Sequence, residues 1–181
     1  MEQAPGAGPA RIVGLVNGLS ERVGRAMSWL TLAMVLVTFV VVILRYLFNI
    51  GWIAMQETVT WMHALVFMLG AAYTLQHDGH VRVDIFYRGA SRRTKAWVDL
   101  LGTLLLLLPV CIYIGWFSWG YVANSWAVQE ASQETGGLPG LYLLKSSMLV
   151  MAGLLILQGL AQALTSLLVL MGRAPAEDEG D

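Results

Sequence analysis

The chain has 181 residues, 57% of them hydrophobic and only 13% charged, with a mean hydropathy of +0.64 and a formal net charge of −1. Soluble domains carry about 25% charged residues, and here the apolar residues come in long blocks, so the chain reads as an integral membrane protein. Its balanced charge gives no case for a nucleic-acid partner, and its single cysteine, Cys111, excludes an intrachain disulfide and a thiolate-built metal cluster.

Residues 1–10 hold two Pro and two Gly and read as a disordered tail. In 11–25, Ile12, Leu15, Val16 and Leu19 recur at helical spacing, while Arg11, Asn17, Glu21 and Arg22 take the other side. This predicts a short amphipathic helix on the membrane surface; the competing reading is a helical extension of the first span. No short apolar core with a small-residue cleavage site precedes that span, which is expected to stay in the mature protein.

The first uncharged run, 26–44, has 19 residues, about 28 Å of helix and close to the thickness of the hydrocarbon layer. The second, 58–76, has 19 residues and contains His63. The third starts at Leu100, contains Pro109, which should kink it, and ends in an aromatic belt of Trp116, Trp119, Tyr121 and Trp126. A polar loop follows, with Glu130, Glu134 and the turn signal Gly136-Gly137-Leu138-Pro139. The fourth run covers 146–172, and an acidic tail closes the chain at 173–181.

These runs predict an all-α integral membrane fold of four transmembrane helices in an up-down bundle, with spans at about 26–48, 54–76, 97–121 and 141–171 and the short interfacial helix before them. Nine of the eleven basic residues precede the first span, follow the fourth or fall in the 77–96 loop, so both termini are expected in the cytoplasm.

Arg45 and Glu57 lie near the facing ends of the first two spans. A short connection makes those spans antiparallel neighbours, so the two charges can pair and offset the cost of their depth. The competing reading is that each side chain snorkels to the interface. Glu57, Trp61 and Ala64 share one helical face, and Trp61 lies deep enough to meet a partner protein. His63 reads as a hydrogen-bonding residue between helices. His63 and His77 sit 14 residues apart on one helix, about 21 Å, and cannot clamp one haem iron. From His80 to Ile85 polar and apolar residues alternate before a basic loop. Contact of that loop with anionic lipid accounts for Arg88, Arg92, Arg93 and Lys95 better than for His80 and Asp84. Ser91 is placed to cap the third helix, and Asp99 lies near its start. The chain has no P-loop, G-x-S-x-G, HExxH or dinucleotide fingerprint, and no paired carboxylates within a span. It reads as a membrane partner or scaffold rather than an enzyme.

Arg45-Tyr46-x-Phe48, Gln56-Glu57, Gly70-Ala71-Ala72-Tyr73 and His80-Val81-Arg82-Val83-Asp84 together resemble the small membrane subunit of tripartite ATP-independent periplasmic (TRAP) transporters, the DctQ-like family. Gly136-Gly137-Leu138-Pro139 and Leu157-Gln158-Gly159-Leu160 are similar too, and the pattern is nearest the mannitol/chloroaromatic-type subgroup. Many relatives carry two acidic residues where this chain has Gln56-Glu57, which leaves Glu57 as the acidic partner for Arg45. The resemblance implies a small permease subunit of the bacterial inner membrane, a scaffold for a large membrane subunit that moves an organic acid delivered by a periplasmic binding protein. It implies no cofactor in this chain and sodium at the large partner. Arg45, Glu57 and Trp61 are the expected ion pair or partner contact, and His80, Arg82 and Asp84 form the cytoplasmic family motif. The alternatives from other classes are a membrane anchor of a redox complex and a small autonomous exporter.

Overall fold

The computed structural model describes residues 7–81 and 87–173. The expected tail at 1–10 lies mostly outside this range, as do the acidic tail beyond Arg173 and both Arg82 and Asp84. The described residues form helices and connections, with no strand. The helices are α1 (Ala7–Leu47), α2 (Ile53–Gln76), α3 (Arg92–Gly102), α4 (Leu108–Ala127) and α5 (Leu141–Leu170), with a π-helical turn, Thr103–Leu107, joining α3 to α4. The α3–α4 unit therefore runs unbroken for 36 residues, and four helices are long and apolar enough to cross a membrane.

Close approaches give the directions. Tyr73 near the end of α2 lies against Gly24 of α1, so these two helices are antiparallel. Trp126 of α4 bonds Ser146 of α5 at 2.8 Å, and Leu107 lies against Gly159, so α4 and α5 are antiparallel as well. We call the end carrying the 48–52 and 128–140 connections the loop end, and the other the terminal end. Helix α5 packs against all the other helices, whereas among the described residues α4 packs against neither α1 nor α2. The bundle is thus a central helix with an α1–α2 hairpin on one flank and the α3–α4 helix on the other.

Composition explains why α5 takes the centre. Its buried residues are Ser147, Ala152, Gln158, Gly159, Ala161, Ala163 and Ser166. Small side chains let neighbouring backbones come close, and this is the source of attraction left when lipid tails are as apolar as leucine. Large apolar side chains face outward instead: Trp29 is 70% exposed and Trp116 81%.

Gln158 is the exception, a long polar side chain only 4% exposed. Its Oε1 accepts from the Ser20 hydroxyl at 2.8 Å, and its Nε2 donates to Asn17 Oδ1 at 3.0 Å. The next residue, Gly159, has no room for a Cβ, which would lie 2.9 Å from Leu107 Cδ2 and 3.4 Å from Thr103 Cγ2. One dipeptide therefore fixes α1 on one side and the π turn on the other.

The structure joins the expected interfacial helix to the first span. Residues 7–47 are one helix of 41 residues, about 60 Å long and roughly twice the hydrocarbon thickness. Its first half does not form a separate surface helix, because Asn17 and Ser20 are bound to α5 and Gly24 lies under the Tyr73 ring. Pro109 acts through the turn before it. Proline has no N–H and crowds the carbonyl four residues back, and the ladder takes a five-residue step in which the Leu108 N–H bonds the Thr103 carbonyl. Ser91 caps α3 as expected, accepting from the Thr94 N–H at 3.2 Å.

Replacing Gln158 by Leu strands the Ser20 hydroxyl and should cost about 1–3 kcal/mol. Denaturant unfolding in detergent measures it. Adding Ser20→Ala should cost less than the sum of the two single changes; strict additivity would show that the two groups do not act as a pair.

Candidate functional site

Glu57 lies one turn into α2 at the loop end and is half-buried. Its partners come from a loop about 80 positions later. Helix α4 closes in a Schellman motif: the Glu130 N–H bonds Ser125 O at 3.0 Å, the Gln129 N–H bonds Trp126 O at 3.2 Å, and Gln129 takes the left-handed conformation, φ 49°. The chain then folds back on itself, with the Ser132 N–H bonded to Leu138 O at 3.0 Å and the Gly137 N–H to Glu134 O at 2.9 Å. This turn presents two donors to one carboxylate. The Ser132 hydroxyl donates to Glu57 Oε1, and the Leu138 N–H donates to Oε2 at 2.6 Å. Ser132 Oγ also accepts from the Glu134 N–H at 3.1 Å. Both carboxylate oxygens are used, in the charge-assisted bonds that are the strong ones.

Gly137 makes this contact feasible. A Cβ there would lie 2.6 Å from Ser132 Cβ and 2.8 Å from Glu57 Oε2, too close for any side chain. Gly140 ends the loop at φ +87°, a left-handed conformation suited to glycine, and is the N-cap of α5.

A second contact ties the same end together. Lys145 of α5 pairs with Glu130 at 2.5 Å and lies 4.0 Å over the Tyr121 ring of α4. The Lys145 ammonium holds the Glu130 carboxyl below the usual carboxylate range. Trp126 packs at a tilt against Tyr142, ring centroids 4.5 Å apart, and donates to Ser146. Loop, α4 and α5 thus form one unit, which Glu57 ties to the α1–α2 hairpin.

The structure does not bring Arg45 to Glu57. Among the described residues their side chains form no ion pair; Arg45 is exposed in the last turn of α1, and Glu57 is taken by the loop. Two backbone-positioned donors aimed at one carboxylate need no flexible cation. Trp61, a turn beyond Glu57, is half-buried. His80 is exposed at the terminal end, with Arg82 and Asp84 of the same motif outside the described residues. At that end, the Tyr87 hydroxyl bonds Asp99 at 2.7 Å, and His77 lies 3.6 Å from Glu21. Sequence reasoning missed Ser132 and Leu138 as partners of Glu57. The signal available was the Gly136-Gly137-Leu138-Pro139 turn, legible as a turn but carrying no mark of what it grips.

The family model of the tripartite ATP-independent periplasmic transporters, DctQ component, matches residues 34–169. The chain belongs to the DctQ family. Its likeness extends to the C4-dicarboxylate TRAP transporter small permease protein DctQ of Vibrio cholerae serotype O1, 31% identical over 108 residues. The matched stretch covers 59% of this chain and 45% of that relative, so the chain spans about half the length of the curated relative it matches. No solved structure matches. The chain is therefore a TRAP transporter component, and the family match contains Glu57, the 128–140 loop and Gln158, while Asn17 and Ser20 precede it.

Two results should follow in this DctQ-family chain. Gly137→Ala should expose the 130–140 loop to limited proteolysis as strongly as Ser132→Ala does or more, with helix content unchanged; an uncut loop would show that it holds without Glu57. For Glu130, the depressed folded pKa sets the sign. Its contribution is fully present above the ordinary glutamate pKa and is lost as the pH falls below that, through the folded value. Thermal melts against pH should show an acid decline that Lys145→Met makes shallower.

Proposed function

We propose that this chain is the small permease subunit that holds the large, sodium-coupled membrane subunit of a TRAP transporter in place during uptake of an organic acid. A periplasmic binding protein delivers the substrate, and sodium binds at the large subunit. The chain sits in the bacterial inner membrane with both termini in the cytoplasm, so the loop end faces the periplasm. The family resemblance favours the mannitol/chloroaromatic-type subgroup. The observation that carries the reading is the two-bond tie between Glu57 and the 128–140 loop inside the family-matched region. A fixed scaffold needs its helices locked to one another at the end where the binding protein docks. Glu57 serves that locking with both of its oxygens, so its role is structural and its loss should be felt in assembly.

Two measurements test this. Purified from membranes, the chain should bring down a much larger multispan protein, and proteoliposomes should take up solute only when both are present; uptake by this chain alone would refute the reading. Glu57→Gln, which puts an NH₂ donor where an acceptor oxygen is needed, should reduce recovery of the complex while leaving the order of preference among substrates unchanged. A shift in preference with full assembly would place Glu57 at a substrate site instead.

A further inference from the structure

His63 is a polar side chain for which the described residues supply no hydrogen-bond partner. It lies ten residues after Ile53 and thirteen before Gln76 in α2, about 15 Å and about 20 Å along the helix and so near the middle of the span. The ring is exposed and touches Phe67, itself 69% exposed, at a centroid distance of 4.7 Å. Among the described residues no hydrogen bond reaches either ring nitrogen. Its polar neighbours are satisfied locally: Thr38 donates to Met34 O at 2.7 Å and Thr60 to Gln56 O at 3.4 Å. Beside the imidazole runs a shallow groove of about 440 Å³ between α1 and α2, lined by Met34, Val35, Thr38, Val59 and Thr60.

A neutral imidazole carries one donor and one acceptor, and acyl chains satisfy neither. A mid-membrane polar group left facing lipid is costly, and such groups normally face another helix. Arg45 points the same way. It follows Thr38 by seven residues, two helical turns, and so lies on the same face of α1, exposed and without an ion pair among the described residues. The opposite flank makes a weaker demand: near mid-span α4 exposes Tyr113, an apolar ring carrying a single hydroxyl. There α4 also exposes Val110, Trp116, Phe117 and Trp119, which lipid and its interface accommodate.

We propose that the α1–α2 face centred on His63 is the surface against which the large membrane subunit packs. Its occupant is a transmembrane helix with a hydrogen-bonding side chain at mid-depth, for His63, and a carboxylate or carbonyl acceptor near its loop end, for Arg45. The proposal rests on the reading that such a subunit exists, and it adds the face and the chemistry of the contact.

The test uses the co-expressed complex, with the photo-crosslinking residue p-benzoylphenylalanine placed at Thr60 in the groove or at Trp116 on the opposite flank. Crosslinks to the large subunit should form from Thr60 and not from Trp116. Crosslinking from Trp116 as strongly as from Thr60, or from Thr60 to a second copy of this chain, overturns the assignment of the face while the partnership stands. If no large subunit co-purifies with the unsubstituted chain, the proposed function itself fails and this inference with it. In parallel, His63→Leu should weaken the complex roughly threefold to thirtyfold, the worth of an interhelical hydrogen bond in lipid. His63→Gln, which keeps a donor and an acceptor, should hold it near the original strength. Undiminished association of His63→Leu overturns the hydrogen bond to the partner.

Discussion

A leucine that leaves lipid to face another helix gains almost nothing, because lipid is as apolar as the protein interior. This protein's architecture follows from that constraint. Its helices meet where side chains are small, and a few polar contacts decide which helix sits beside which. The carboxylate of Glu57 is the most demanding of these. It takes a donor from a serine hydroxyl and a donor from a backbone amide, both on a loop distant in sequence, and a glycine is required for the loop to come that near. Without it, the polar contact left between α2 and α5 toward the loop end, among the described residues, would be the weak one of the Ser147 hydroxyl with Met68 Sδ at 3.0 Å.

Gln158 plays the matching part toward the terminal end. Its amide engages Asn17 and Ser20 on α1, while Gly159 beside it receives the π turn of the α3–α4 helix. With Glu57 at one end and Gln158 toward the other, α5 and the hairpin are fixed in both register and rotation. The α4 flank is bound differently, by Trp126, Lys145 and the Schellman turn at Gln129. A central helix fixed on both flanks suits the scaffold role proposed above.

Much of the fold was legible in the sequence because lipid permits few solutions. Long uncharged runs had to be helices, Ser91 had to cap α3, and Pro109 had to disturb its helix. Partnerships were less legible. Arg45 was the nearest opposite charge to Glu57 along the chain, and proximity in sequence favoured it. The actual partners are a hydroxyl and an amide, which carry no charge to notice. Gln158 stood within a segment of family resemblance, but its burial followed from α5 being central, which no periodicity reveals when every face is apolar. The continuity of α1 was hidden for a related reason. Polar residues at 11–25 suggested a water-facing side, yet Asn17 and Ser20 on that stretch are the ones bound to α5.

The central claim is that Glu57 holds the loop through its carboxylate, and the amide of Leu138 reports on it directly. In uniformly labelled protein in nanodiscs, hydrogen exchange at that amide should be slow, and Glu57→Ala should accelerate it to the rate of the exposed loop amides of Gln133 and Thr135 while the α5 amides stay protected. Slow exchange at Leu138 in the absence of the carboxylate would contradict the account, since the loop would then keep its place without the bond said to hold it.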